Sequence, residues 1–144
     1  MKNRFKFWQQ WLFWSSLLFA AFGIVFAIYG NNPLFAPYNK SLLHIFGFAN
    51  NMSSEADEFR AFIWGPLGGT IACCYILLAF IAWGPFRRKE SWARYAIIVA
   101  FGIWVILDSA ACIYYKVYFQ VYLINAFSIL VKFLPIIFTW KYFR

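Results

Sequence analysis

Apolar residues run almost without interruption through four stretches, Phe7 to Tyr29, Phe62 to Phe86, Trp92 to Tyr115 and Tyr118 to Trp140. Each is at least as long as the roughly 20 residues that a helix needs to cross a hydrocarbon layer about 30 Å thick. The pattern predicts an all-α membrane protein: four transmembrane helices in an antiparallel bundle, a single integral membrane domain over 1–144 with spans at about 7–29, 60–86, 92–115 and 118–140. The remaining long segment, 30–59, is the one outer loop. Within it, Asn31 to Asn39 reads as turn-rich. Ser41 to Phe48 reads as a short amphipathic segment at the membrane surface. Ser54 is the expected cap of the second membrane helix, with Asp57 placed to meet Arg60 three residues on.

Composition agrees with this solvent. Only 12% of the 144 residues are charged, about half the share in a soluble domain, and the mean hydropathy is +0.64. The net charge of +8 would suit nucleic acid if the cations formed a stripe with interleaved aromatics, but they cluster at span ends instead. Lys2, Arg4 and Lys6 precede the first span; Arg87, Arg88, Lys89 and Arg94 flank the turn between the second and third; Lys141 and Arg144 follow the fourth. The positive-inside rule then puts both termini in the cytoplasm and leaves no role for nucleic acid. The first span lacks a small-x-small cleavage pattern and reads as an uncleaved anchor. Trp8, Trp11, Trp83, Trp92 and Trp140 sit where an interfacial aromatic belt belongs. The expected location is multi-pass in a bacterial cytoplasmic (inner) membrane.

Breakers refine the spans. Gly84 and Pro85 should stop the second helix, with Ser91 as a cap for the third. In Gly65 to Gly69, Pro66 invites a kink, while the Gly65 and Gly69 spacing permits close helix approach. Cys112 lies roughly 13 Å above the adjacent pair Cys73 and Cys74 at the helical rise, and all three should remain free thiols.

Against this background one carboxylate stands out: Asp108 is the only charged side chain from Tyr95 to Tyr115. Counting from the turn centres, Asp108 falls level with Asn125 on the fourth span, Gly68 on the second and Gly23 on the first, roughly 10 to 13 Å below the outer end at the helical rise. Lys132 falls deeper, level with Tyr75, Gly102 and Ser16. The spacing of Tyr118, Tyr122, Asn125, Ser128, Lys132 and Thr139 puts them on one inward face. Ser16, Ala20, Gly23 and Ala27 form a small-residue face on the first helix. A charged Asp or Lys at a span centre costs about 2.5 to 3.5 kcal/mol on insertion scales. A hydrogen bond between Asp108 and Asn125 would lower that cost, and Lys132 has a second route, snorkelling to the cytoplasmic interface.

Intramembrane ionisable groups mark functional sites, so the candidates are Asp108, Asn125, Trp64, Gly68, Trp104, Tyr75, Lys132 and Arg60, with Tyr114 and Tyr115 as further walls. The reading they favour is a small polytopic protein that binds a lipid or amphiphilic small molecule in an outward-facing polar layer. The alternatives are an accessory or assembly subunit, with a membrane-protein partner or a homo-oligomer, and a proton- or cation-coupled small transporter. An enzyme ranks last, because acid–base work on an apolar substrate needs paired groups and only Asp108 and the shallow Glu58 are at hand. Nothing in the chain calls for a cofactor or a metal: His44 stands apart from any ligand spacing. Asn39 and Asn51 match the glycosylation sequon.

Overall fold

The computed structural model describes residues 2–48 and 52–143, and among them the secondary structure is wholly helical. The elements are α1 (Lys2–Tyr29), α2 (Ala36–Ile45), α3 (Ser54–Trp83), α4 (Ser91–Tyr114) and α5 (Ala126–Thr139). A 3-10 turn, Pro33–Phe35, leads into α2; a π-helical segment, Gln120–Asn125, leads into α5; a 3-10 turn, Trp140–Tyr142, ends it. Four helical stretches are long and apolar enough to cross a membrane: Asn3–Tyr29, Ser54–Trp83, Ser91–Tyr114 and Gln120–Tyr142. Leu18, Phe80, Ile106 and Leu123 stand on their outer faces, a surface that water would penalise and lipid accepts.

The chain divides into two units, Leu18–Tyr75 and the remainder, so α1 and α3 each contribute to both. In Leu18–Tyr75, α1 and α3 meet at backbone distance. A Cβ on Gly68 would stand 2.5 Å from both Ala27 N and Gly23 O, and one on Gly23 would stand 2.7 Å from Ala72 N. The expected pair Gly65 and Gly69 has open space where a Cβ would go. This corrects the GxxxG assignment: α3 is uninterrupted through Pro66, and its continuous twist turns Gly68, not Gly65 or Gly69, toward α1.

Above this contact, Phe26, Phe35 and Trp64 form a buried cluster, covered by Tyr38, Leu42 and Ile71. The loop before it is more ordered than its turn residues suggest. Asn32 accepts from Leu34 N at 3.2 Å, and Pro37 falls in the first turn of α2, where a missing N–H costs nothing. The short helix therefore runs Ala36–Ile45 rather than Ser41 to Phe48, and the stretch expected to be turn supplies its first half. Asn39 is buried, with Nδ2 donating to Gly30 O at 2.8 Å, so this sequon nitrogen is committed to the fold; Asn51 lies outside the described residues. The cap of α3 is Ser53, whose Oγ accepts from Ala56 N at 3.3 Å, one residue before the predicted Ser54. Asp57 and Arg60 pair as expected.

The second unit gathers the first half of α1, the last turns of α3, α4 and the fourth span. Phe5 packs on Phe86, Tyr142 and Phe143, and Gln9 Nε2 donates to Ala82 O at 3.0 Å, satisfying a carbonyl in the last turn of α3. Trp8 stacks on Phe138. Arg94, a flanking topology charge by its position in the sequence, is instead buried. It donates to Trp140 O at 3.2 Å, with its guanidinium carbon 3.8 Å from the Trp140 ring centroid. At the turn after α3, Glu90 takes the cap position of α4 and Ser91 is its first residue, a one-residue correction. The Glu90 carboxylate accepts from Arg88 and from Trp92, and the Arg88 bond foremost holds it below the usual carboxylate range.

Because backbone atoms of α1 occupy the space a Cβ on Gly68 would need, Gly68→Ala should lower thermal stability by about 1 to 3 kcal/mol, the usual cost of overpacking. Gly69→Ala should match or exceed wild type, gaining up to about 1 kcal/mol of helix propensity. Thermal unfolding of both variants in one detergent checks the pair.

Candidate functional site

Asp108 lies on α4, half-buried, and the fourth span folds so as to bring donors to it. Asn125 Nδ2 donates to Asp108 Oδ2 at 2.7 Å and lies 3.1 Å from Ser109 Oγ. Gln120 Nε2 stands 3.3 Å from each carboxylate oxygen. Cys112, one turn along α4, places Sγ 3.5 Å from Oδ2. The predicted level pair Asp108 and Asn125 is thus in direct contact, and Gln120, Ser109 and Cys112 complete the cluster.

Gln120 was not among the sequence candidates, and the reason is helical geometry. Gln120 and Asn125 are five residues apart, a spacing that an α-helix puts on different faces. The π-helical turn Gln120–Asn125, whose hydrogen bonds skip five residues, lets both amides address one carboxylate. The same turn shifts the helical register upstream. Asn125, Ser128, Lys132 and Thr139 are buried as the spacing predicts, but Tyr118 and Tyr122 are exposed. A regular helix over 118–140 would have put all six on one face.

Asn125 carries a further feature. It is 1% exposed, and while its amide nitrogen is doubly engaged, its Oδ1 is buried without a hydrogen-bond partner. A buried orphan acceptor costs on the order of 1 to 3 kcal/mol. Native structures keep such groups where strain or function is served.

Comparison with family models, curated proteins and solved structures gives no match. The site must be judged on its own chemistry. Among the described residues no group of three His, Cys, Asp or Glu is placed to hold a metal, and all three cysteines are free, as expected. The cluster combines a half-buried carboxylate with a buried amide oxygen that has no partner, so the hydrogen-bonding capacity left over in it is that of acceptors.

The other candidates distribute as follows. Lys132 is fully buried, with Nζ 3.0 Å from Ser15 Oγ and 3.5 Å from Ser16 Oγ on α1. The expected neighbour Ser16 is found, and snorkelling to the interface is not what the side chain does. Trp104 packs on Phe101 at 6.0 Å; Tyr114 and Tyr115 contact each other at 4.9 Å. All three are exposed, Trp104 and Tyr114 on α4 and Tyr115 at its C-terminal cap. Trp64, Gly68, Tyr75 and Arg60 belong to Leu18–Tyr75. There Trp64 Nε1 donates to Asn31 Oδ1 at 3.0 Å, Tyr75 packs on Phe19 at 4.9 Å, and Arg60 pairs with Asp57.

Burial of Lys132 sets an energetic test. A cation at a span centre costs about 2.5 to 3.5 kcal/mol on insertion scales, and methionine keeps the length of the stem without the charge. Lys132→Met should therefore raise the unfolding temperature in detergent. Asn125→Leu, which takes a donor from Asp108, should cost about 0.6 to 1.7 kcal/mol.

Proposed function

We propose that the chain is a multi-pass protein of a bacterial cytoplasmic membrane, an antiparallel bundle with both termini inside, that binds a lipid or similar amphiphile at Asp108 and Asn125. Topology is supported by the charge distribution and by contacts in the second unit, where the start of α1, the turn after α3 and the end of the fourth span pack together through Phe5, Phe86, Tyr142 and Phe143. The observation that carries the binding reading is the orphan Asn125 Oδ1 beside the Asp108 carboxylate. Two neighbouring acceptors favour a head group with N–H or O–H donors, such as a primary ammonium. Trp104 and Leu107, exposed on α4 within one turn of Asp108, offer apolar surface for the attached chains.

A second reading, an accessory subunit, draws on the open faces of Gly65 and Gly69, where a partner helix can approach closely. The lipid reading is preferred because it also accounts for the polar cluster.

Native mass spectrometry from nanodiscs containing phosphatidylethanolamine and phosphatidylcholine separates the outcomes. Wild type should retain phosphatidylethanolamine in preference to phosphatidylcholine, whose quaternary ammonium has no N–H. Asp108→Asn should lose that preference by about tenfold, as expected for one charge-assisted hydrogen bond of about 1.5 kcal/mol. Equal retention of both lipids, or of neither, by wild type would overturn the proposal.

A further inference from the structure

A second site lies in the same unit, where the first turns of α1 meet the turn after α3. An open groove of about 630 Å³ is lined there by Lys6, Arg87 and Lys89 together with Phe13, Trp14 and Trp83, and no carboxylate lines it. We infer that this groove is a binding site for the phosphate head group of an anionic phospholipid, independent of the Asp108 cluster.

Four observations carry the inference. First, two of the three cations are held by rings rather than neutralised. Arg87 Cζ lies 5.3 Å from the Trp83 centroid, and Lys89 Nζ lies 5.3 Å from Phe5 and 5.8 Å from Tyr142. Ring faces orient a cation but leave its charge and most of its donors available. Second, the acid nearest in sequence is already engaged: Glu90 accepts from Arg88 and Trp92, and among the described residues no ion pair involves Lys6, Arg87 or Lys89. Third, Lys89 has φ +63°, a left-handed conformation that glycine adopts without penalty and a lysine does not. Glycine at this position would therefore remove the charge at no backbone cost.

Fourth, the groove has the composition of an interfacial lipid site. The guanidinium and ammonium groups match a phosphate, the former through two parallel N–H donors. Phe13, Trp14 and Trp83 form the apolar side, and Trp14 and Trp83 are exposed. Aromatic rings of this kind settle at the level of head groups, and basic pockets between membrane helices take anionic head groups. A soluble phosphate would use the cations but gain nothing from the tryptophans, which is why a phospholipid is the occupant chosen.

The test is native mass spectrometry of the full chain from nanodiscs of phosphatidylcholine containing a minor fraction of phosphatidylglycerol. Wild type should retain phosphatidylglycerol at least tenfold over phosphatidylcholine. Each cation removed, by Lys6→Gln, Arg87→Gln or Lys89→Gly, should weaken retention about fivefold. Lys89→Gly is the informative single variant, because it should fold as well as wild type or better while binding less. Trp14→Ala should also weaken retention with all three charges in place. Lys116→Gln, on the turn between α4 and the fourth span, should leave phosphatidylglycerol retention unchanged, and in an Asp108→Asn background each groove substitution should still weaken it about fivefold, which separates this site from the one at Asp108. The inference is overturned if the triple variant keeps its phosphatidylglycerol, if Trp14→Ala has no effect, or if millimolar inorganic phosphate displaces the lipid.

Discussion

In a hydrocarbon solvent a carboxylate must obtain its donors from the protein, and Asp108 obtains its amide donors from a single turn of the fourth span. The 2.7 Å bond from Asn125 and the two longer ones from Gln120 require that turn to be wider than an α-helix. The π-helical segment Gln120–Asn125 is therefore coupled to the polar cluster. Its rotation also decides which residues of the fourth span face inward, from the exposed Tyr118 before it and Tyr122 within it to the buried Ser128, Lys132 and Thr139 downstream. One intramembrane charge thus shapes a whole helix, since hydrophobic pressure between helices is weak where the solvent is itself apolar.

Where that pressure is absent, close backbone approach and polar contacts hold helices together. Both appear here, in different parts of the chain. In Leu18–Tyr75 the contact of α1 with α3 is a steric one, Gly23 and Gly68 admitting no side chain. In the other unit the links are polar: Gln9 to Ala82 and Arg94 to Trp140. Arg94 shows how such a link is accommodated. Its charge is shielded by the rings of Tyr95, Trp140 and Phe143, which replace part of a hydration shell without requiring an acid.

How much of this was legible in the sequence depends on whether the signal is periodic or geometric. The four spans, the free thiols, the Asp57–Arg60 pair and the contact of Asp108 with Asn125 follow from run length, cysteine depth, helix spacing and counting from turns. Counting works because the rise per residue is nearly constant. It fails where the helix changes type. The π turn leaves no compositional trace in Gln120 to Asn125, so Gln120 was invisible and Tyr118 was assigned to the wrong face. Gly68 was placed by depth, but the close approach was assigned to Gly65 and Gly69 because a motif spacing does not say which way its face points. The start of α2 was missed for the opposite reason: Pro37 reads as a breaker along the sequence but is harmless in a first turn.

The two proposed lipid sites differ in what their charges require of the fold. Asp108 sits within a span, so its partners must come from neighbouring helices, and a ligand competes with or adds to bonds that already stabilise the protein. Lys6, Arg87 and Lys89 sit beyond or at the end of the apolar runs, where part of their hydration is retained. Their net interaction with a phosphate therefore starts from a smaller desolvation cost. Salt screens such partly exposed charges more than buried ones, so ionic strength would act on the proposed groove site more than on the Asp108 cluster. The Asp108 cluster, enclosed by Asn125, Gln120 and Cys112, depends instead on the donor chemistry of the head group. A membrane that varies its anionic lipid would address the first site, and one that varies its ammonium lipid the second.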